Sequence, residues 1–283
     1  MLFLKTSWNI CRQNFRKWAV DYRIWTIAAV LMILVSENTR NMANVCESIG
    51  QPSTIWIFPF LYSQYHQKLI FTLPLLLLFN NAPFIDSNAM FVISRCKKSE
   101  WHTGQFLYII CASGVYYLYI LFCTVITSIP YAEFSFEWGQ SIHTIANTNA
   151  TTGMGYNFLN VSNFVVTYFT PVQAVWFTFL ISSLVAVMLG MIIYFFNTLT
   201  KTNYIGCIIS SILIIFSCYI EVMMKDKWLR YSPVSWITLD KLDVGQTTTN
   251  PTFTYCMTVL LSISLILFVI ITALRKKWKM DIL

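Results

Sequence analysis

Long apolar runs separated by short polar stretches organise the chain between Tyr22 and Leu274. Four of them, Phe106–Ile129, Val172–Phe196, Tyr204–Met224 and Thr252–Leu274, each supply the roughly 20 residues that a helix needs to cross a bilayer. Prolines mark their ends: Pro130 follows the first, and Pro171 and Pro251 stand at helix starts, where a missing N–H is tolerated. A fifth run, Ile24–Val35, holds only 12 residues, so the predicted helix continues through the polar stretch Ser36–Val45. Its polar half, carrying Ser36, Asn38, Asn41 and Asn44, needs protein or water around it rather than lipid.

The stretch between 55 and 85 admits two placements. A helix over 55–79 would leave Lys68 near mid-bilayer, at about 2.5–3.5 kcal/mol on insertion scales. Starting at Tyr65 and ending near Ile85 lets the Lys68 ammonium snorkel outward, and that placement is adopted. Ile55–Tyr62 then forms an outer interfacial segment or a dipping hairpin around Pro59. Ahead of the first span, Leu4, Trp8, Cys11, Phe15 and Trp18 recur at steps of 4, 3, 4 and 3, with Lys5, Arg12, Arg16 and Lys17 off that stripe. This predicts an interfacial amphipathic helix over 3–20, its tryptophans at headgroup depth. A cationic extension of the first span is the alternative.

Composition fixes the solvent. Of 283 residues only 11% are charged, while 57% are hydrophobic and 17% aromatic, against roughly 25% charged in an average soluble domain. Mean hydropathy is +0.60. Long aliphatic runs with few glycines favour helices over the short alternating segments of a membrane barrel. The expected fold class is therefore all-α: one transmembrane domain over 1–283, with six spans at about 22–45, 65–85, 106–129, 172–196, 204–224 and 252–274. No cleavable signal peptide is expected, because Lys5, Arg12, Arg16 and Lys17 interrupt the N-terminal stretch. With both termini inside, 13 of the 19 Lys and Arg residues fall on the inner side, and Tyr131–Thr170 contains none. The expectation is a multi-pass plasma-membrane protein with both termini cytoplasmic.

Little in the chain points to catalysis. The eight cysteines are scattered, mostly inside apolar runs, and predict neither a metal site nor a disulfide framework. A phosphate-cradling glycine loop, His-Glu-x-x-His and Gly-x-Ser-x-Gly are all missing, so no catalytic group, cofactor or nucleic-acid partner is expected for the chain itself. His66, His102 and His143 lie far apart and read as surface residues. Glu221, near the outer end of the fifth span, is the one acid close to a span interior. Two sequons, Asn149-Ala-Thr151 and Asn160-Val-Ser162, lie in the outer segment and matter only in a glycosylating secretory pathway.

The inner loop 86–104 is different. Met90, Phe91, Val92 and Ile93 make it too apolar for a free linker, and Arg95, Lys97 and Lys98 follow as a basic cluster. Asp86 or Ser87 can cap a short helix running to about Ser94. Such an element suits docking on the cytoplasmic side.

These features together resemble the permease subunits of type-2 ATP-binding-cassette exporters. Two stretches carry the likeness. FIDSNAMFVISRCKKSEWHTGQFLY, from Phe84, is similar to that family's coupling segment, although Asp86 stands where Glu is usual and no Gly lies near Ala89. RYSPVSWITLDKL, from Arg230, is similar to the Ser-Pro-x-x-Trp region of many Firmicute members. The resemblance implies a permease, homodimeric or paired with a homologous subunit, bound to two ATPase subunits that hold ATP and Mg. It implies that Asp86, Ser87, Met90, Phe91, Ile93, Arg95, Lys97 and Lys98 contact the ATPase, and that a membrane-dipping outer segment precedes the last span. It also implies a translocation path along Ser36, Asn38, Asn41, Asn44, Asn80 and Glu221. Abundant Phe, Tyr and Trp suit an amphipathic or hydrophobic cargo, such as an antimicrobial peptide or a lipid. Two alternatives stand beside this reading. One is a membrane-interface enzyme using Glu133, Glu137 and His143, with Glu133 and Glu137 one helical turn apart. The other is a non-transporting membrane scaffold or immunity protein.

Overall fold

A computed structural model describes residues 2–85, 89–148, 160–223, 226–244 and 249–274. The described residues are mostly helical: α1 (Leu2–Arg16), α2 (Tyr22–Ile49), α3 (Tyr65–Phe79), α4 (Ala89–Arg95), α5 (Lys98–Ser128), α6 (Gly139–Thr148), α7 (Asn163–Tyr168), α8 (Pro171–Thr200), α9 (Ile205–Met223) and α10 (Phe253–Leu274). Local chemistry sets the ends. Asp21 caps α2, its Oδ1 accepting from Arg23 N at 3.0 Å, and Gly50 closes that helix at φ 73°, a conformation cheap only without a Cβ. At the start of α5, Glu100 Oε2 accepts from Lys97 N at 2.8 Å, and Pro171 opens α8.

Among the described residues, four helices are long and apolar enough to cross a membrane: Lys98–Ser128, Pro171–Thr200, Ile205–Met223 and Phe253–Ala273. The bent pair made by α1 and α2, which meet at 72°, is a fifth candidate, and α3 is apolar but only 15 residues long. Exposed large hydrophobic side chains line the outside of the bundle, Ile208, Ile212, Ile215 and Tyr219 on α9 and Leu261, Leu265 and Val269 on α10. That surface is the inverse of a water-soluble one and suits lipid. The chain is an all-α protein of polytopic membrane build.

Direction alternates along the bundle. The α3 and α9 helices run antiparallel, since Cys207 approaches Asn80 while Cys218 approaches Tyr65. The α5 and α8 helices do likewise: Gly190 meets Ile109, and His102 shares a hydrogen bond with Tyr194. At one end lie α1 and α4. The described parts of the connections, 50–64, 131–148, 160–170, 226–244 and 249–252, supply a cap at the other. Parallel pairing of Ser53–Thr54 with Ala132–Glu133, Trp56 Nε1 donating to Ser135 O at 2.6 Å, and Thr238 Oγ1 donating to Tyr62 O at 2.9 Å tie that cap together. Ile57, Phe58, Phe60, Leu61 and Tyr62 are fully enclosed, so 57–62 packs into the core of the cap, Phe58–Tyr62 as a short 3-10 turn.

The α1 helix departs from the sequence pattern. Its buried face is Ser7, Ile10, Cys11 and Asn14, at i, i+3, i+4 and i+7, whereas Leu4 and Trp8 of the apolar stripe are exposed. Polar groups decide this docking. Asn14 Nδ2 donates to Gln105 Oε1 at 2.7 Å and Ser7 Oγ to Glu100 O at 3.2 Å. Gly104 allows the close approach, since a Cβ there would sit 2.7 Å from Ile10 Cβ.

Candidate functional site

Two regions concentrate the polar chemistry, one at each end of the bundle. The first is α4. Val92 and Ile93 pack with Cys96 against Ile10 of α1 and Trp101 of α5, fixing the short helix to both neighbours. The opposite side presents Phe91, 67% exposed, with Ser94, Arg95, Lys97 and Lys98 also exposed. That side thus sets one exposed aromatic ring beside three cations. Ile93 therefore anchors α4 rather than facing outward. Asp86, Ser87 and the side chain of Met90 lie outside the described residues.

The segment leading into α4 is tied down by a residue that pattern reading passed over. Asn197 of α8 is 1% exposed and donates from Nδ2 to Asn80 O at 3.1 Å and Ala82 O at 3.0 Å. Its Oδ1 accepts from Gly206 N at 2.8 Å. One amide thus joins the ends of α3, α8 and α9. Phe84, at φ 59°, stacks edge-on against Tyr108 with centroids 4.7 Å apart. A buried polar residue at a tight helix–helix turn is the signal that could have found Asn197.

The second region lies under the cap, on the first turns of α3 and the last turns of α9. Lys68 is wholly buried, and its Nζ donates to both carboxylate oxygens of Glu221, at 2.7 and 2.6 Å. Lys68 does not snorkel: although α3 begins at Tyr65, segments 51–62 and 226–243 close over its first turn and cut the ammonium off from water. The carboxylate from α9 is what makes that burial tolerable. Beside the pair, Asp240 Oδ1 is buried without a hydrogen-bond donor among the described residues. Burial pushes the Asp240 carboxyl up from its ordinary value, with Lys241 and Lys68 pulling it back and Glu221 adding to the rise.

The remaining path residues do not converge on one cavity. Asn38 is buried, donating to Leu34 O and accepting from Gln67 Nε2 at 2.9 Å. Ser36 and Asn41 are half-buried and Asn44 is exposed; the exposed side of α2 continues through Glu37, Arg40 and Glu47 as a polar stripe. Asn80 accepts from Cys207 Sγ at 3.1 Å at the opposite end of α3 from Lys68. Glu133 sits in a short strand and Glu137 in the bend before α6, so the two are not on one helical turn, and both are exposed, as is His143. His102, half-buried in the first turns of α5, shares a hydrogen bond with Tyr194 of α8. No protein-family model, curated protein or solved structure matches the chain.

Proposed function

We propose that the chain is the membrane-spanning permease subunit of an ATP-binding-cassette exporter, with six crossings and both termini cytoplasmic. One observation carries the reading: α4 offers Phe91 and a cationic flank outward while its other side is clamped to α1 and α5. A force applied to α4 reaches a 31-residue helix and the interfacial helix together, which is what a coupling element requires. ATP and Mg reside on two ATPase subunits, and the chain itself is not an enzyme. The exposed polar stripe of α2 needs a protein or aqueous neighbour at membrane depth, and a second permease copy or a homologous subunit supplies it. The cargo is amphipathic or hydrophobic.

The test is co-purification with a partner ATPase from the native membrane. A stable, ATP-hydrolysing complex is expected, lost in a Phe91→Ala, Arg95→Ala variant that still inserts and folds. A complex retained by that variant would reject the coupling role.

A further inference from the structure

Where α1 turns into α2, an apolar cavity of about 270 Å³ opens at the bundle surface. Trp18, Trp25, Ala28, Leu31, Val115 and Tyr119 form most of its wall. The polar atoms of those rings are satisfied within the protein: Trp18 Nε1 donates to Tyr108 Oη at 2.8 Å, Trp25 Nε1 to Ala19 O at 3.3 Å, and Tyr119 Oη to Ala28 O at 3.0 Å. What remains is a dry, hydrocarbon-lined slot. An apolar cavity of about 150 Å³ holds a benzene ring, so this one has room for a substantial length of alkyl chain.

A second, smaller space of about 110 Å³ shares Trp18, Ile24 and Leu78 with the first, and its wall is half polar. Asn14, Lys17, Arg23 and Asn81 line it together with Asp21. Asp21 is engaged in capping α2 and in pairing with Arg23, Nε to Oδ1 at 3.6 Å. Lys17 Nζ donates to Asn14 Oδ1 at 3.1 Å, and the two cations outnumber the one carboxylate, leaving the mouth net positive. A guanidinium fork beside an ammonium is suited to a phosphate. The exposed indole of Trp25 and the cationic outer side of α1 mark the same level as the interface between hydrocarbon and headgroups.

We infer that this paired cavity is a binding site for an anionic glycerophospholipid of the leaflet at the α4 end, one acyl chain in the apolar slot and the phosphate at Lys17 and Arg23. The assignment needs only a membrane location and does not rest on the export reading. Its occupant wedges the α1–α2 elbow, so lipid charge bears on the pose of α1, and through it on α4.

The full-length protein in phosphatidylcholine vesicles, doped with a phosphatidylglycerol carrying a photoactivatable acyl chain, provides the test. Peptide mapping is expected to place adducts within 18–31 and 115–119. Ala28→Trp or Val115→Trp, each filling the slot, should cut those adducts several-fold. Lys17→Gln with Arg23→Gln should lower phosphatidylglycerol labelling to that of a matched phosphatidylcholine probe. Labelling spread evenly round the bundle, or unchanged in both slot-filling variants, or equal for the two headgroups in the unmodified protein, would overturn the assignment.

Discussion

The two ends of the bundle handle charge in opposite ways. Around α4, Arg95, Lys97 and Lys98 stand in the open beside an exposed Phe91. Under the cap, Lys68 is sealed against Glu221 with side-chain exposures of 0% and 8%. Exposed charge is nearly free to change without harming the fold, so the α4 cluster is available to the proposed partner at little structural cost. Sealed charge is expensive to unpair, so the cap end speaks of a fixed geometry. Substitutions should therefore separate cleanly: stability is lost at the cap, association at α4.

The largest effect is expected from Lys68→Met or Glu221→Gln alone, each leaving one buried charge or its partner uncompensated, at about 3–5 kcal/mol. Combining Lys68→Met with Glu221→Met should recover most of that loss. Thermal unfolding in detergent checks both, and equal losses in single and double variants would contradict a mutually compensated pair. Asn197→Ala strands the Asn80 and Ala82 carbonyls and should lower stability by about 1–3 kcal/mol, loosening the approach to α4. Faster backbone hydrogen exchange over 80–85 is the readout. Gly104→Ala forces a methyl into Ile10 and Ser7 and should destabilise by about 1–3 kcal/mol, with increased protease access to α1.

A smaller effect follows from Asp240. Its carboxyl is raised above the ordinary 3.8 by burial, so the fold prefers the protonated form. This contribution is complete below the ordinary value and disappears as pH climbs through the raised one. Melting temperature should fall across that window, and Asp240→Asn should flatten the fall. At the bottom of the scale, Phe91→Ala and Arg95→Ala should each change stability by no more than about 0.5 kcal/mol while weakening association with the partner. A large stability loss in either would erase the contrast between the two ends.

The long apolar helices were legible because their runs leave no other solvent than lipid, and the prolines at 130, 171 and 251 located several of their ends. The short helix at α4 could be read from four apolar residues followed by three cations. What escaped reading was three-dimensional. Lys68 snorkels only if its first turn is open to water, and the segment just before α3 together with the distant 226–243 connection closes over it. The α1 stripe predicted an interfacial helix, and Leu4 and Trp8 of that stripe are exposed, but the docking of its other side through Ser7 and Asn14 onto α5 is something no periodicity reveals. Asn197 looked like one more turn residue until three helix ends met at its amide. Glu133 and Glu137 matched a helical spacing in a stretch where the backbone is a strand and a bend.

The central claim of the functional proposal is that the outward side of α4 is held by an ATPase subunit. A photoreactive phenylalanine analogue placed at position 91, irradiated in the native membrane, addresses it directly. The account predicts one dominant adduct with a nucleotide-binding, ATP-hydrolysing protein; adducts with lipid alone would contradict it.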